Sequence, residues 1–136
     1  MQEDYGELIK NLSIPNIRLR AFYKEDSEKA VETVCQFIEK TLPKAEKSGV
    51  SLLLETSGVF ADTAVMREVL NRFASDNLAA LWDIHHTYRC NGESGDQTIK
   101  NLGAYVAHVH MRDSDEEGKY QLIGEGSMPI DDVMRA

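Results

Sequence analysis

The four histidines of this chain fall in two pairs, and each pair stands beside an acidic residue. His85–His86 follow Asp83 in the segment WDIHH, and His108–His110 precede Asp113 in HVHMRD. A further acid, Glu55, ends the apolar run SLLLE. Carboxylates and imidazoles suit Mn²⁺, Zn²⁺, Co²⁺ or Mg²⁺ in a site that keeps open coordination positions. These residue types therefore predict a divalent-metal site, provided that the fold brings them together.

The segments that carry these residues have the character of strands separated by helices. The first strand is predicted from its alternation of polar and apolar residues, and the later ones from short apolar runs. The predicted strands are Asn16–Tyr23, Ser51–Leu54, Leu78–Trp82 and Val106–Met111. The predicted helices are Ser27–Lys47, one starting at Asp62 or Thr63, Asp96–Tyr105 and Pro129–Arg135. Such alternation is typical of α/β proteins with a parallel sheet.

The spacing of the strand ends predicts a (β/α)-barrel arrangement. Glu55 precedes Asp83 by 28 positions, and Asp83 precedes His110 by 27. A barrel unit takes roughly 30 residues, and the carboxyl ends of its strands share one mouth. Glu55, Asp83, His86 and His110 would then converge. Four strands make about half a barrel, so we expect residues 1–136 to form a single partial (β/α)-barrel domain, truncated at both ends.

Smaller sequence signals shape these elements. Ser27 is a candidate N-cap and Gly49 a terminator of the first helix, while Pro43 is expected to kink that helix or end its first part. The segment Tyr5–Leu12 has the character of a helix tail from a preceding unit. Gly124 and Gly126 are expected to form a tight turn that needs positive φ.

Composition narrows the classes of partner and compartment. The net charge of −8 argues against a nucleic-acid partner, because phosphate binding needs clustered basic residues. No apolar run approaches the roughly 20 residues of a membrane span. The acidic segment MQEDYGELIK does not have the composition expected of a targeting signal, and Cys35 and Cys90 do not suggest a disulfide scaffold. We therefore expect a cytoplasmic protein with a small-molecule substrate.

The motifs in order resemble those of the xylose isomerase-like TIM barrels, a family that includes ketose epimerases, inosose dehydratases, hydroxypyruvate isomerases and type IV apurinic endonucleases. The family pattern is a Glu at one strand end, then D-x-x-H, then H-x-[KRN]-D, then a G-x-G turn. This chain supplies Glu55, Asp83-Ile-His-His86, His110-Met-Arg-Asp113 and Gly124-Glu-Gly126. The resemblance runs from about Asn16 to Ala136.

The resemblance implies a role for each matching residue. Glu55, Asp83 and His110 would hold a divalent metal, and Glu55 would also be the catalytic base. His86 would bind substrate, and Arg112 would suit a phosphate or polyol oxygen. The implied function is a metal-dependent isomerase or epimerase of a sugar, sugar phosphate or ketose, with proton transfer through a metal-bound enediolate. The family's second Glu has no counterpart in this sequence.

Two other functions stay open at this point. The first is a non-catalytic or inactive barrel fragment that acts as a binding or structural domain. The second is an abasic-site endonuclease, but that branch has an Asp-x-His pair where this chain has Gly118 and Tyr120. A half-barrel would also expose two strand edges and its inner face, so we expect a homodimer or part of a longer chain.

Individual residues have simpler interpretations as well. Glu55 could be a solvated loop acid, and Asp83 a helix N-cap or turn former. Arg112 and Asp113 could be an ordinary surface pair. Four other side chains are expected to pack rather than bind: His85 in the core or on the surface, His108 buried lower in the barrel, Trp82 in the core or pocket wall, and Cys35 in the core.

Overall fold

The computed structural model describes residues 13–21 and 27–136. Its main sheet has four parallel strands in the order β1–β2–β3–β4, namely Asn16–Leu19, Ser51–Glu55, Leu78–Asp83 and Val106–His110. The α-helices are α1 (Ser27–Ser48), α2 (Thr63–Phe73), α3 (Gly95–Leu102) and α4 (Ile130–Arg135), and a 3-10 helix (Gly58–Ala61) and a π-helix (His86–Cys90) follow β2 and β3. The predicted α/β class is confirmed. The helix tail predicted at Tyr5–Leu12 and the end of the first predicted strand, at Phe22 and Tyr23, lie outside the described residues.

The two central strands are apolar because both of their faces are covered. Leu52 and Leu54 belong to the large core cluster, which α1 and α2 close on one side of the sheet. Burial of Leu54 alone, which is fully buried, contributes about 1.5–3 kcal/mol. Since side chains alternate across a strand, Leu53 and Glu55 point to the opposite face. That opposite face carries the candidate site.

Helix α1 is a single helix that ends one residue later than its sequence predicts. It continues through Pro43 to Ser48, so the prediction that Pro43 ends its first part is wrong. Leu42 and Ala45, on either side of the proline, are both buried against the sheet, and this packing holds the helix together. Gly49 follows with φ of 66°, as expected of a helix terminator. The residue before Ser27 lies outside the described residues, so the N-cap role of Ser27 stays a prediction.

The next two helices begin at side-chain caps. The Asp62 carboxylate accepts a hydrogen bond from the backbone N–H of Ala64 at 3.0 Å, which starts α2 as predicted. Ser94 caps α3 by accepting from the N–H of Gln97 at 3.2 Å. Helix α3 ends at Leu102, earlier than the predicted Tyr105, because the N–H of Tyr105 turns back to the Leu102 carbonyl before β4 begins.

A β-bulge in the last pair of strands decides which way β4 faces. Ala80 pairs with Val106, but Leu81 pairs with His108, so Ala107 has no partner in the ladder. From there Asp83 stands opposite His110. His108 and His110 therefore point to the same face of the sheet as Asp83. Without the extra residue they would point to the helix side.

The segment after β4 folds into a short antiparallel hairpin that leads to α4. Its strands are β5 (Asp113–Ser114) and β6 (Tyr120–Gln121). A second, smaller core cluster of Trp82, Ile84, Met128 and Val133 attaches this region to β3. Across the described ranges, no helix combines the length and apolar character that crossing a membrane requires.

Candidate metal and substrate site

The carboxyl ends of the strands line a cavity of roughly 410 Å³. Arginine, histidine and acidic side chains form most of its wall: Arg18, Arg20, Glu55, Asp83, His86, Val109, His110, Met111 and Arg112. Within it, Glu55, Asp83 and His110 each place one potential ligand atom within 4.8 Å of the other two. Strand order explains this convergence, because the three residues end adjacent parallel strands on the same face.

Glu55 is buried at the end of β2, with only 1% of its surface exposed. Its Oε1 lies 3.5 Å from Nδ1 of His110. Its Oε2 lies 3.4 Å from the Nε atoms of both Arg18 and Arg20. Those contacts are within ion-pair range, but Oε2 accepts no hydrogen bond from any residue that the structure describes. The interpretation of Glu55 as a solvated loop acid is wrong.

Asp83 divides its two oxygens between local structure and the cavity. Oδ1 accepts hydrogen bonds from the backbone N–H groups of His85 at 3.1 Å and His86 at 3.3 Å. Oδ2 faces the cavity, 3.9 Å from Nδ1 of His110, and accepts a hydrogen bond from Arg112. The turn-forming role of Asp83 is confirmed by the hydrogen bonds to Oδ1, and its role as a metal ligand stays a prediction that the position of Oδ2 allows.

His86 lies between Asp83 and Arg112 with 13% of its side chain exposed. Burial lowers the pKa of His86 below its ordinary value; the Asp83 carboxylate opposes this, and the Arg112 guanidinium adds to it. Its Nε2 is 3.1 Å from Nη2 of Arg112, and its buried Nδ1 has no hydrogen-bond partner within the described part of the chain. A neutral imidazole in this position can donate to or accept from a substrate hydroxyl.

Arg112 is fixed at the mouth of the cavity by contacts on two sides. Besides Asp83 and His86, it donates a hydrogen bond from Nη1 to the Tyr120 hydroxyl at 2.8 Å. Its guanidinium also lies over the Tyr120 ring, 5.3 Å from the centroid. Its Nε atom is buried and without a hydrogen-bond partner among described residues. The side chain is therefore positioned by hairpin β5–β6, with donor capacity left over.

The two remaining histidines differ in outcome. His85 is buried outside the cavity, with Nε2 3.2 Å from the Ser114 hydroxyl, which confirms the packing role. His108 faces the same side as His110, and the ring centroids are 5.3 Å apart. However, His108 is exposed, so the prediction that it is buried is wrong. Beyond β4 the described part of the chain offers no element to cover it. Trp82 and Cys35 are buried as expected.

Asp113 is buried, so the interpretation of Arg112 and Asp113 as an ordinary surface pair is wrong, and its structural role was not predicted from the sequence. Its side chain is 2% exposed and accepts backbone N–H hydrogen bonds from Ser114 and Gly124 at 2.8 Å, Gly126 at 3.1 Å and Met128 at 3.2 Å. Burial alone would raise the pKa of Asp113, but these four donors outweigh it and hold the pKa below its ordinary value. Asp113 thus fixes the loop that follows Arg112.

The G-x-G turn supports Asp113 in two different ways. Gly124 has φ of 91°, as predicted for a tight turn. Gly126 has no positive φ, so that part of the prediction is wrong. Gly126 is needed for space, because a Cβ atom there would overlap the Asp113 carboxylate and the Ser114 carbonyl oxygen. In the sequence, the one indication of this contact is the order of the two motifs, His110-Met-Arg-Asp113 followed by Gly124-Glu-Gly126.

The donor set fits a divalent cation. Two buried carboxylates and one imidazole converge, and the buried Glu55 Oε2 accepts no hydrogen bond within the described ranges. Oxygen and nitrogen ligands with open positions suit Mn²⁺, Co²⁺, Zn²⁺ or Mg²⁺. Arginines already offset the charge of both carboxylates, so the fit to a cation rests on the convergence of the three donors rather than on an uncompensated charge.

Comparison with known families and structures gives related architectures. Residues 3–136 match the model of the family described as xylose isomerase-like TIM barrel. A structure of IolI protein with a binding zinc atom has a TM-score of 0.80 at 16% identity, over 98% of this chain and 52% of that one. Comparison with curated proteins found no match.

The structures of an epimerase-like protein and of an epimerase are similar as well. A D-tagatose 3-epimerase-like protein has a TM-score of 0.74 at 22% identity, over 96% of this chain and 54% of that one. The apo form of 3-keto-D-glucoside 4-epimerase YcjR from E. coli has a TM-score of 0.73 at 13% identity, over 98% of this chain and 55% of that one. The present chain thus spans about half the length of these structures.

Proposed function

As a member of the xylose isomerase-like TIM barrel family, this chain has a fold used by sugar epimerases, and we propose that it serves a divalent-metal-dependent isomerase or epimerase of a sugar or ketose. The observation that carries the proposal is the convergence of Glu55, Asp83 and His110 within 4.8 Å of one another. These residues come from three strands, and they meet on the face of the sheet that carries the cavity. The zinc-bound relative supports a metal at such a site.

Glu55 is the group best placed to move a proton. Its Oε1 lies 3.5 Å from Nδ1 of His110 and is the oxygen that we assign to proton transfer. Its Oε2 is buried beside the Nε atoms of Arg18 and Arg20, whose charge disfavours protonation there. A base fixed on a strand end acts on one face of the substrate carbon. A positioned base of this kind contributes about 10²- to 10⁴-fold to the rate.

The other cavity residues would bind and orient the substrate. His86 presents a neutral imidazole, and Arg112 presents a guanidinium with unused donor capacity. A divalent cation, when bound, supplies a Lewis acid that polarises a carbonyl oxygen and a neighbouring hydroxyl oxygen. Asp83 and His110 would hold that cation, and Asp83 is kept in position by the backbone N–H groups of His85 and His86.

Proton exchange in heavy water tests this proposal without requiring inversion of the sugar. The chain would be incubated with Mn²⁺ and a panel of ketoses, including D-fructose and D-tagatose, and deuterium at the carbon next to the carbonyl would be measured by NMR. Because Glu55 can remove and return a proton on one face, we expect exchange with at least one ketose. Glu55→Gln should abolish it, and Glu39→Gln, which alters an exposed carboxylate, should not. Deuterium exchange no faster than the uncatalysed rate with every ketose would contradict the proposal.

The endonuclease alternative has less support in the structure. Tyr120, at a position where that branch has a metal ligand, is instead engaged by Arg112 through its hydroxyl and its ring. Gly118 offers no side chain. The cavity also lacks the breadth of a duplex-binding surface, and a small-molecule substrate agrees better with roughly 410 Å³.

A further inference from the structure

Strand β3 runs two residues further than its neighbour β2. Glu55, the last residue of β2, pairs with Leu81, whereas β3 continues to Asp83. The backbone N–H of Thr56 still donates to the Leu81 carbonyl at 3.0 Å. The N–H of Ser57, however, turns back to the carbonyl of Glu55 at 2.7 Å. The β2 backbone thus leaves the sheet before it reaches Asp83, whose carboxylate belongs to the candidate site.

The side chain of Thr56 bridges the gap that this leaves. Its hydroxyl oxygen accepts a hydrogen bond from the backbone N–H of Asp83 at 2.8 Å, and the hydroxyl donates to the backbone carbonyl of Asp83 at 3.2 Å. Thr56 is fully buried. A hydroxyl group can donate and accept at once, and the branched Cβ of threonine restricts its rotation. The side chain therefore takes over the pairing that the β2 backbone no longer provides.

This contact links Asp83 to the other carboxylate of the site. The N–H groups of His85 and His86 hold Oδ1 of Asp83, but they belong to the turn that directly follows Asp83 in the chain. The Thr56 hydroxyl instead ties the Asp83 backbone to the residue bonded directly to Glu55. One side chain therefore sets the spacing between the strand ends that carry both carboxylates. A functional site requires its groups to be placed within about 0.5 Å.

We propose that Thr56 is a positioning residue of the metal site, which holds Glu55 and Asp83 at the separation that lets both bind one cation. Thr56 does not line the cavity, so it acts only through these two residues. Residues that orient metal ligands typically contribute about 10- to 100-fold to metal affinity. This inference rests on the proposed function, because it assigns a role at the same site.

A titration of the full chain with Mn²⁺, followed by electron paramagnetic resonance, tests this role. Thr56→Val keeps the shape of the side chain but removes the hydroxyl, and it should weaken Mn²⁺ binding about tenfold or more. Thr56→Ser keeps a hydroxyl that can donate and accept, and it should recover the affinity to within about threefold of the parent chain.

A second buried threonine serves as the matched control, because loss of a buried hydroxyl destabilises a protein wherever it lies. Thr98 is fully buried in α3 and donates from its hydroxyl to Glu93 at 2.7 Å, and it does not line the cavity. Thr98→Val should lower the free energy of unfolding, as Thr56→Val does, but should change Mn²⁺ affinity less than about twofold. Urea unfolding measures the stability of each variant.

Urea unfolding also shows which variants are folded. If Thr56→Val is not folded, Thr56→Cys takes its place, because a thiol is only a weak donor and acceptor but preserves a polar group at this position. Thr56→Cys should also weaken Mn²⁺ binding.

Three results would overturn the inference. The variant without the hydroxyl binds Mn²⁺ as tightly as the parent chain, Thr56→Ser fails to recover the affinity, or Thr98→Val weakens binding as much as Thr56→Val does. The parent chain separates this failure from failure of the proposed function. A parent chain that binds Mn²⁺ no better than Thr56→Val removes this inference alone, whereas a parent chain that binds no Mn²⁺ removes the metal-dependent function together with it.

Discussion

Nδ1 of His110 lies 3.5 Å from Oε1 of Glu55, although β4 and β2 are not neighbours in the sheet. The intervening strand contributes Asp83, whose Oδ2 is 3.9 Å from the same nitrogen. The strand order and the bulge at Ala107 together bring an imidazole from one side of Asp83 to a carboxylate on the other. The predictions below depend on this arrangement and on the loop that supports it.

Arg112 is expected to compete with a metal for Asp83. Oδ1 of Asp83 is engaged by backbone N–H groups, so Oδ2 is the oxygen left for a cation, and Arg112 donates to that oxygen. Arg112→Met should therefore raise Mn²⁺ affinity by a few fold, while it weakens binding of the sugar substrate. Calorimetry on this variant, with Arg135→Met as the control, measures both effects. A fall in Mn²⁺ affinity would show that Arg112 supports the site rather than competing for it.

Asp113 should make stability depend on pH. Its folded-state pKa lies below the ordinary value, so its contribution is complete above the unfolded pKa of about 4 and is lost as the pH falls through the folded pKa. Asp113→Asn should cost on the order of 2 kcal/mol near neutral pH, because a charged acceptor of four N–H groups is replaced. The difference in free energy of unfolding between the parent chain and this variant should be smaller at a pH of about 3. Urea unfolding at both pH values measures this difference, with Asp96→Asn, at an exposed carboxylate, as the control. An equal difference at both pH values would contradict the role assigned to Asp113.

Gly126 should tolerate a methyl group less well than Gly118. A Cβ at residue 126 would overlap Asp113 and Ser114, whereas at residue 118 it would meet nothing within 4 Å. We expect Gly126→Ala to cost about 2–3 kcal/mol in free energy of unfolding through overpacking. Gly118→Ala should cost about 1 kcal/mol, from its φ of 84° alone. If the two variants unfold at the same denaturant concentration, the close approach to Asp113 is not the constraint.

We propose that two copies of the chain associate through strand edges. Within the described residues, β1 and β4 each pair on one side only, and Val109 on β4 is 41% exposed. Light scattering with size-exclusion chromatography should give a mass twice that of one chain. Val109→Lys should shift the chain towards monomer, because a charge on an edge strand opposes pairing. A stable monomer of the parent chain at high concentration would contradict the proposal.

The sequence predicts the framework of the site because strand ends are marked by residue type. Apolar runs that stop at Glu55 and Asp83 identify two buried parallel strands, the regular spacing adds the strand that ends at His110, and topology then places the three ends together. The helix positions follow from apolar spacing and from caps such as Asp62. What residue type and spacing encode directly is therefore well predicted.

Other features depend on contacts between distant segments, which no local pattern reveals. The bulge at Ala107 changes which face His110 occupies, and nothing in VAHVHM requires it. The approach of Arg18 and Arg20 to Glu55 depends on the pairing of β1 with β2, although their spacing already places them on one face. The role of Asp113 depends on backbone N–H groups up to 15 residues away, the most distant being that of Met128.

Titration of the chain with Mn²⁺, followed by electron paramagnetic resonance, is the most direct test of the site. The parent chain should bind one ion, with modest affinity because it offers three protein ligands. Asp83→Asn should abolish binding, since it removes the charge but keeps an oxygen for the N–H groups of His85 and His86. Asp96→Asn, a matched change at an exposed carboxylate, should leave binding intact. Binding that survives Asp83→Asn, or no binding by the parent chain, would contradict a metal site formed by Glu55, Asp83 and His110.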